Sequence, residues 1–187
     1  MENSCVKRTG RSIAALLLAL LLANSGGCIS SGPEPGERTR VWPMAAQSGE
    51  RNLCGPSTLA VVLAFHGEPV PEKVIAEAIY SPTAQGALLS DMAWFARQQG
   101  FQADLRTGSV DDLQQALDQQ LPPIVLLDYG IAILRKPHFT AITGVNDKGI
   151  SQLNDKRADE YVRMRLFKRL WKRAGNQYLI ITPAAAL

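Results

Sequence analysis

The sequence predicts an α+β domain, and three features carry that prediction. Helix-period apolar stripes fill the first half of the region after residue 50, strand-like alternation takes over after Pro122-Pro123, and Asn146-Asp147-Lys148-Gly149 reads as a tight hairpin turn. The chain has 187 residues, 46% hydrophobic and 20% charged, which fits one domain with a tail and excludes a disordered or collagen-like protein. A chain of this size buries a core without disulfides, and three cysteines (Cys5, Cys28, Cys54) are too few for a disulfide framework.

The N-terminal segment reads as an address. Lys7, Arg8 and Arg11 precede an apolar run from Ile13 to Ala23, shorter than the roughly 20 residues that span a bilayer. A basic start, a short apolar run and a small-residue exit describe a secretory signal peptide. The exit Asn24-Ser25-Gly26-Gly27-Cys28 resembles a bacterial lipoprotein cleavage box, in which the cysteine becomes the lipidated first residue. The competing reading is an ordinary signal peptide cut near Ala23, or an uncleaved anchor. Ile29 follows the cysteine, and without an Asp there the expected destination is the outer membrane facing the periplasm. The expected organisation is therefore a signal segment over 1–27, a tether over 28–46 and a folded domain over 47–187. Removing 1–27 lowers the formal charge from +3 to +1, so the basic balance is partly a property of the signal. Residues 30–52 mix Ser, Gly, Pro and charge without periodicity, as a linker does.

A first helix should begin near Cys54-Gly55-Pro56-Ser57, because proline is tolerated in a first turn whose N–H needs no partner. Leu59, Val62, Leu63 and Phe65 form its stripe, and His66-Gly67 stops it. A second helix is expected over Pro71–Tyr80 and a third over about Leu88–Gln99, ended by Gly100. Phe101–Arg106 alternates like a strand. Ser109 caps a fourth helix, with Asp111 and Asp112 in the turn where the dipole favours acids. Ile124–Leu127 is a buried-strand run, His138–Val145 alternates, and Ile150–Leu153 pairs back across the turn. Arg163–Ala174 is a last amphipathic helix, and Gln177–Thr182 a closing strand. Trp94 and Trp171 fall on apolar stripes and read as core.

Cys54 stands where a nucleophile is made. A thiol at a helix start meets unpaired N–H groups and the positive end of the dipole, both of which favour thiolate. The same position suits a small buried core residue, and position alone does not separate the two. A thiolate needs a base to carry its proton and a group to orient that base. His138 opens a strand, and Asp155 follows the strand that pairs with it, so a tight hairpin can bring the two side by side. Gln47 lies seven residues before Cys54.

Asn52-Leu53-Cys54-Gly55-Pro56-Ser57-Thr58-Leu59-Ala60, with Phe65-His66-Gly67 after it, resembles the bacteriocin-processing peptidases, a family of papain-like cysteine peptidases often fused to exporters of double-glycine-leader peptides. His138-Phe139 with Gly144, then Asn154-Asp155, then Trp171, Gly175 and Leu179-Ile180, extend the likeness over about 47–183. The resemblance implies a papain-like fold, Cys54 as nucleophile, His138 as base, Asp155 as its orienting group and Gln47 as oxyanion donor. It implies a peptide substrate, no cofactor, and a secretion or transport apparatus as a partner. The family's usual Asp-Pro is Asp155-Lys156 here. No phosphate-binding Gly-x-x-x-x-Gly-Lys-Ser/Thr run and no further span occur in this sequence, so the expectation is a stand-alone exported form.

Other features have plainer readings. His66 before Gly67 suits a helix end where a histidine offsets the dipole. Two histidines and one unlipidated cysteine show no metal-ligand spacing. Asn154 competes with Asp155, since papain uses Asn there and alternation sends the two to opposite faces. Arg163, Arg165, Lys168, Arg169, Lys172 and Arg173 read as a solvated helix face rather than a surface for nucleic acid or anionic lipid, because no aromatic interleaves them there. The activity expected is peptide hydrolysis. An acyl-transfer enzyme with the same triad and a catalytically silent domain that binds peptides or a secretion partner are its rivals.

Overall fold

A buried Pro56 in the first turn and a stripe of Leu59, Val62 and Leu63 build helix α1, Cys54–Phe65, and Gly67, at φ +91°, turns the chain out of it. The computed structural model describes residues 52–153 and 160–184 of the chain. The expected signal segment, the tether and the boundary at residue 47 lie outside those residues. After α1 come α2 (Glu72–Ile79), α3 (Leu89–Gln98), β1 (Phe101–Thr107), α4 (Val110–Asp118), β2 (Ile124–Asp128), β3 (Pro137–Val145), β4 (Gly149–Gln152), β5 (Glu160–Arg163), α5 (Met164–Arg173) and β6 (Gln177–Pro183). The order anticipated from the sequence holds, and the Ser109 cap is a full capping box with Asp112. One element was not anticipated. β5 is four residues long, contributes a single buried apolar side chain (Val162), and runs directly into α5, so it carries almost no period of its own.

The strands form one six-stranded sheet in the order β1-β6-β2-β3-β4-β5, and every described pairing is antiparallel. Helices cover both faces. Ile124, Phe139, Ala141, Leu179 and Ile181 join the core under α1, α2 and α3, whereas Val125, Leu127, Ile142, Tyr178 and Ile180 join the core under α4 and α5. Alternate residues of one strand thus serve opposite cores, which is why β2 and β6 read as continuous apolar runs. The β3–β4 turn closes as anticipated: Asn146 Oδ1 accepts the N–H groups of Lys148 and Gly149 at 2.9 and 2.8 Å.

One core assignment differs. Trp171 is buried, donating from Nε1 to the Gln177 carbonyl at 2.9 Å, but Trp94 is 51% exposed, turned away from the face of α3 made by Leu89, Met92, Ala93 and Ala96. His66 caps α1 as expected and packs near Phe65 and Phe101, where burial lowers its pKa and so works against the positive charge that would offset the dipole.

Asp128, at the end of β2, is the most heavily engaged polar side chain described. Its Oδ1 accepts the N–H groups of Lys136 and Gly130 at 2.9 Å each. Its Oδ2 takes Arg135 Nη1 at 3.2 Å and lies 3.5 Å from the Arg173 guanidinium. Led by the Lys136 N–H, these donors outweigh burial and hold the carboxyl at about 2. A depressed carboxyl stabilises the fold above its unfolded value near 3.8 and loses that contribution as pH falls toward 2. Asp128→Asn should therefore lower stability by about 2 kcal/mol at neutral pH, the deficit shrinking as pH drops through that window. Denaturant titrations of both proteins across pH test this, and a deficit unchanged from pH 7 to the acid end would contradict it.

Candidate active site

Cys54 is the first residue of α1 and is half-buried; in its turn Pro56 carries no N–H and the Ser57 N–H donates to the Leu53 carbonyl at 2.9 Å. Two features press this end of the helix onto β3. Thr58, fully buried one turn on, donates its hydroxyl to the Cys54 carbonyl at 2.6 Å and lies 3.3 Å from the Phe139 carbonyl. Gly55 supplies the space: a Cβ there would stand 3.0 Å from Ala87 Cβ and 3.3 Å from the Phe139 ring. A side chain there would have to push Ala87 or the Phe139 ring aside by a few tenths of an ångström, so glycine favours this close approach to the strand.

His138 is the residue before Phe139, half-buried, with Leu127 of β2 opposite it. The Tyr129 ring meets the imidazole edge-on, with centroids 5.9 Å apart. Tyr129 Oη accepts from Gln152 Nε2 at 3.3 Å, and the same amide reaches Glu160 Oε2 at 3.2 Å. Burial raises the Tyr129 pKa, which keeps the phenol neutral. Gln152 is 1% exposed and belongs to β4, whose residues run antiparallel to β3 with Ile142 opposite Gln152. Thr140 Oγ1 donates to the Leu153 carbonyl at 2.9 Å and fixes the end of that strand against β3.

The structure thus brings together the chain segments of Cys54 and His138, which are far apart in sequence. Gln47, Asp155 and its rival Asn154 lie outside the described residues, as does Cys28. His66 is removed from this end: it closes α1, about 18 Å from Cys54 by helix rise. Tyr129, Gln152 and Glu160 were not singled out from the sequence. Their one advance signal was Gln152, a polar amide in a strand expected to pair back onto β3. Among the described residues, no three His, Cys, Asp or Glu side chains converge as metal ligands, and no helix is long and apolar enough to cross a membrane.

Solved peptidase domains share this architecture. A double glycine motif protease from an AMS/PCAT transporter, crystallised with the leader peptide, matches with a TM-score of 0.62 at 20% identity over 79% of this chain and 96% of its own. The peptidase domain of Streptococcus ComA, a bifunctional ABC transporter of a quorum-sensing pathway, gives 0.61 at 18% over 76% and 99%. A C39-like peptidase from Bacillus anthracis gives 0.68 at 13% over 80% and 100%. At such identities the likeness is one of fold, and that fold is the α+β papain-like one anticipated. None of the curated proteins matches the chain in sequence. Residues 40–179 match the model of the Peptidase_C39 like family, and the helix-start cysteine beside β3 therefore belongs to a cysteine-peptidase-like domain: the chain is a member of that family.

Proposed function

We propose that this chain is an exported, lipid-anchored cysteine peptidase that hydrolyses peptides through Cys54, His138 and Asp155. The observation that carries the reading is the clamp of the Cys54 end of α1 against Phe139, next to His138. The Cys54 sulfur adds to a peptide carbonyl carbon, forming the S–C bond and a tetrahedral oxyanion. First-turn N–H groups of α1 favour negative charge there, and Gln47 supplies a side-chain donor. His138, holding the thiol proton, passes it to the amine nitrogen as the C–N bond breaks. A water deprotonated by His138 then cleaves the thioester, and the proton returns to sulfur. Asp155 orients the imidazole. The direction of β4 supports that role, since it runs antiparallel to β3 and reaches Leu153, opposite Ala141, on the way toward the His138 end. The relatives crystallised with a leader peptide or belonging to a transporter support a peptide substrate and a transport apparatus as source or partner; the double-glycine requirement is not carried over.

The anchoring half of the proposal rests on the Asn24–Cys28 exit, with the folded domain facing the periplasm from the outer membrane. Expressed in a bacterium fed an alkyne fatty acid, the chain should take up label, and Cys28→Ala should abolish it; labelling that persists in the variant removes the anchor.

Incubating the purified protein with a peptide library and reading products by mass spectrometry tests the chemistry. Cys54→Ala and His138→Ala should each lower turnover about a thousandfold or more with the melting temperature nearly unchanged. Full activity in Cys54→Ala ends the proposal.

Gly55→Ala separates positioning from stability. Alanine gains about 1 kcal/mol of helix propensity over glycine, close to what crowding Ala87 and Phe139 costs. Stability should change little while turnover falls about tenfold or more, because the helix start must shift from β3. Unchanged turnover would show that this approach does not set the catalytic geometry.

A further inference from the structure

The segment from Tyr129 to Lys136 joins β2 to β3 and ends two residues before His138. Its base is tightly tied. Besides the four donors on Asp128, Tyr129 N–H donates to the Lys136 carbonyl at 2.9 Å, and Leu134 N–H to the Ile131 carbonyl at 3.0 Å. A Cβ on Gly130 would run into the Leu134 carbonyl oxygen, so the loop closes as it does only around a glycine. On this ordered base stand three aliphatic side chains in water: Ile131 is 80% exposed, Ile133 94% and Leu134 72%. Scattered apolar residues need no explanation, but three on one braced loop form a presented patch.

The surroundings carry a sign. Arg135 donates to the Arg173 carbonyl at 2.8 Å, and Arg173 Nη2 to the Ala132 carbonyl at 3.3 Å, so the loop leans on the C-terminal end of α5. Between them lies a cavity of about 430 Å³ lined by Arg135, Lys172 and Arg173, with Asp128 its one acidic side chain, already engaged by its donors. From there Arg165, Lys168, Arg169 and Lys172 run exposed along α5 at helical spacing, opposite buried Phe167, Leu170 and Trp171. Neither the loop nor α5 contributes an acidic residue.

We propose that this rim, an aliphatic loop tip beside a cationic cavity and helix, is a docking surface for an anionic phospholipid bilayer. Ile131, Ile133 and Leu134 enter the headgroup boundary, the cavity takes a phosphate headgroup, and α5 lies over neighbouring anionic lipids. Aliphatic insertion coupled to basic attraction is how peripheral proteins hold a membrane surface. A solvated face was expected for α5 because no aromatic interleaves its charges; the fold adds aliphatic partners from the loop after β2. The surface needs neither the lipid on Cys28 nor the triad.

The test uses the full chain carrying Cys28→Ala, so that no acyl chain contributes. It is sedimented with vesicles of phosphatidylcholine alone, or of equal parts phosphatidylethanolamine and phosphatidylglycerol. Binding should favour the anionic vesicles and weaken with salt. It should fall about tenfold when Ile131→Ser, Ile133→Ser and Leu134→Ser are combined, with melting unchanged because all three are exposed. Arg169→Gln with Lys172→Gln should weaken it as well. The apolar segment at 13–23 is common to all these chains, so a second readout is local: in Ile133→Trp, brominated lipid should quench the introduced tryptophan. An unquenched indole overturns the proposal. So does a triple-serine chain that binds anionic vesicles like its parent, including one that instead loses peptide cleavage and so assigns the loop to substrate.

Discussion

The arrangement of the candidate site depends on one close approach, that of the start of α1 to the start of β3. The sheet alone does not enforce it, because a helix packs on a strand through side chains that keep the two backbones about 10 Å apart. Here the intervening side chain is missing at Gly55, where a Cβ would crowd Ala87 at 3.0 Å and the Phe139 ring at 3.3 Å. Thr58 then bridges the gap: its one hydroxyl proton goes to the Cys54 carbonyl in its own helix, and its oxygen lies 3.3 Å from the Phe139 carbonyl across it. A threonine bonding four residues back usually weakens or bends a helix slightly. In this position the same bond orients the first turn, where the thiol sits. The local cost and the positional gain fall on one residue, which suits a site where geometry has priority over stability.

Strand β3 holds its side of that contact because it is buried on both faces. Phe139 and Ala141 face α1, while Ile142 faces α4 and α5, and β2 and β4 pair along its two edges. A strand enclosed this way cannot slip by one residue without moving each apolar side chain to the wrong core, so its register is strongly determined. His138 inherits that rigidity although it lies near the strand's exposed end. The Tyr129–Gln152–Glu160 chain extends the ordering, since it ties the ring beside the imidazole to two further strands.

How much of this is legible in the sequence follows from which forces are local. Helix starts and stops depend on a few neighbouring residues, and the Pro56 first turn, the Ser109 capping box and the Gly67 exit all form as their residue types require. Continuous apolar runs mark β2 and β6 because both faces are covered. β5 is illegible because its pairing to β4 comes from partners elsewhere in the chain and a single buried valine leaves no pattern. Trp94 misleads because large apolar residues are counted as core unless the facing layer is known. In the site, Cys54 and His138 stand out by position within elements, yet the approach of their chain segments depends on Gly55 meeting Phe139, a contact across more than eighty residues that no spacing encodes. Tyr129 and Glu160 were missed for the same reason: Tyr129 matters through its contact with the His138 ring, and Glu160 through Gln152, both set by the fold.

The loop between β2 and β3 extends the argument from position to access. Its hydrogen bonds converge on Asp128 at one end and Lys136 at the other, and the chain enters β3 at Pro137 directly afterwards. The ion pairs that brace the aliphatic tip therefore also fix where β3 begins, and His138 is its second residue. Arg173 joins the same cluster from α5, so the tip, the basic helix and the histidine strand share one anchor. Such an anchor works because Asp128, which stays ionised across the ordinary pH range, takes two backbone N–H groups and faces both arginines from one buried point. Exposed aliphatics on a slack loop would fold back onto the nearest apolar surface. Held from below by Asp128, they stay in solvent, and any surface that covers them comes to lie beside the end of β3 that carries His138.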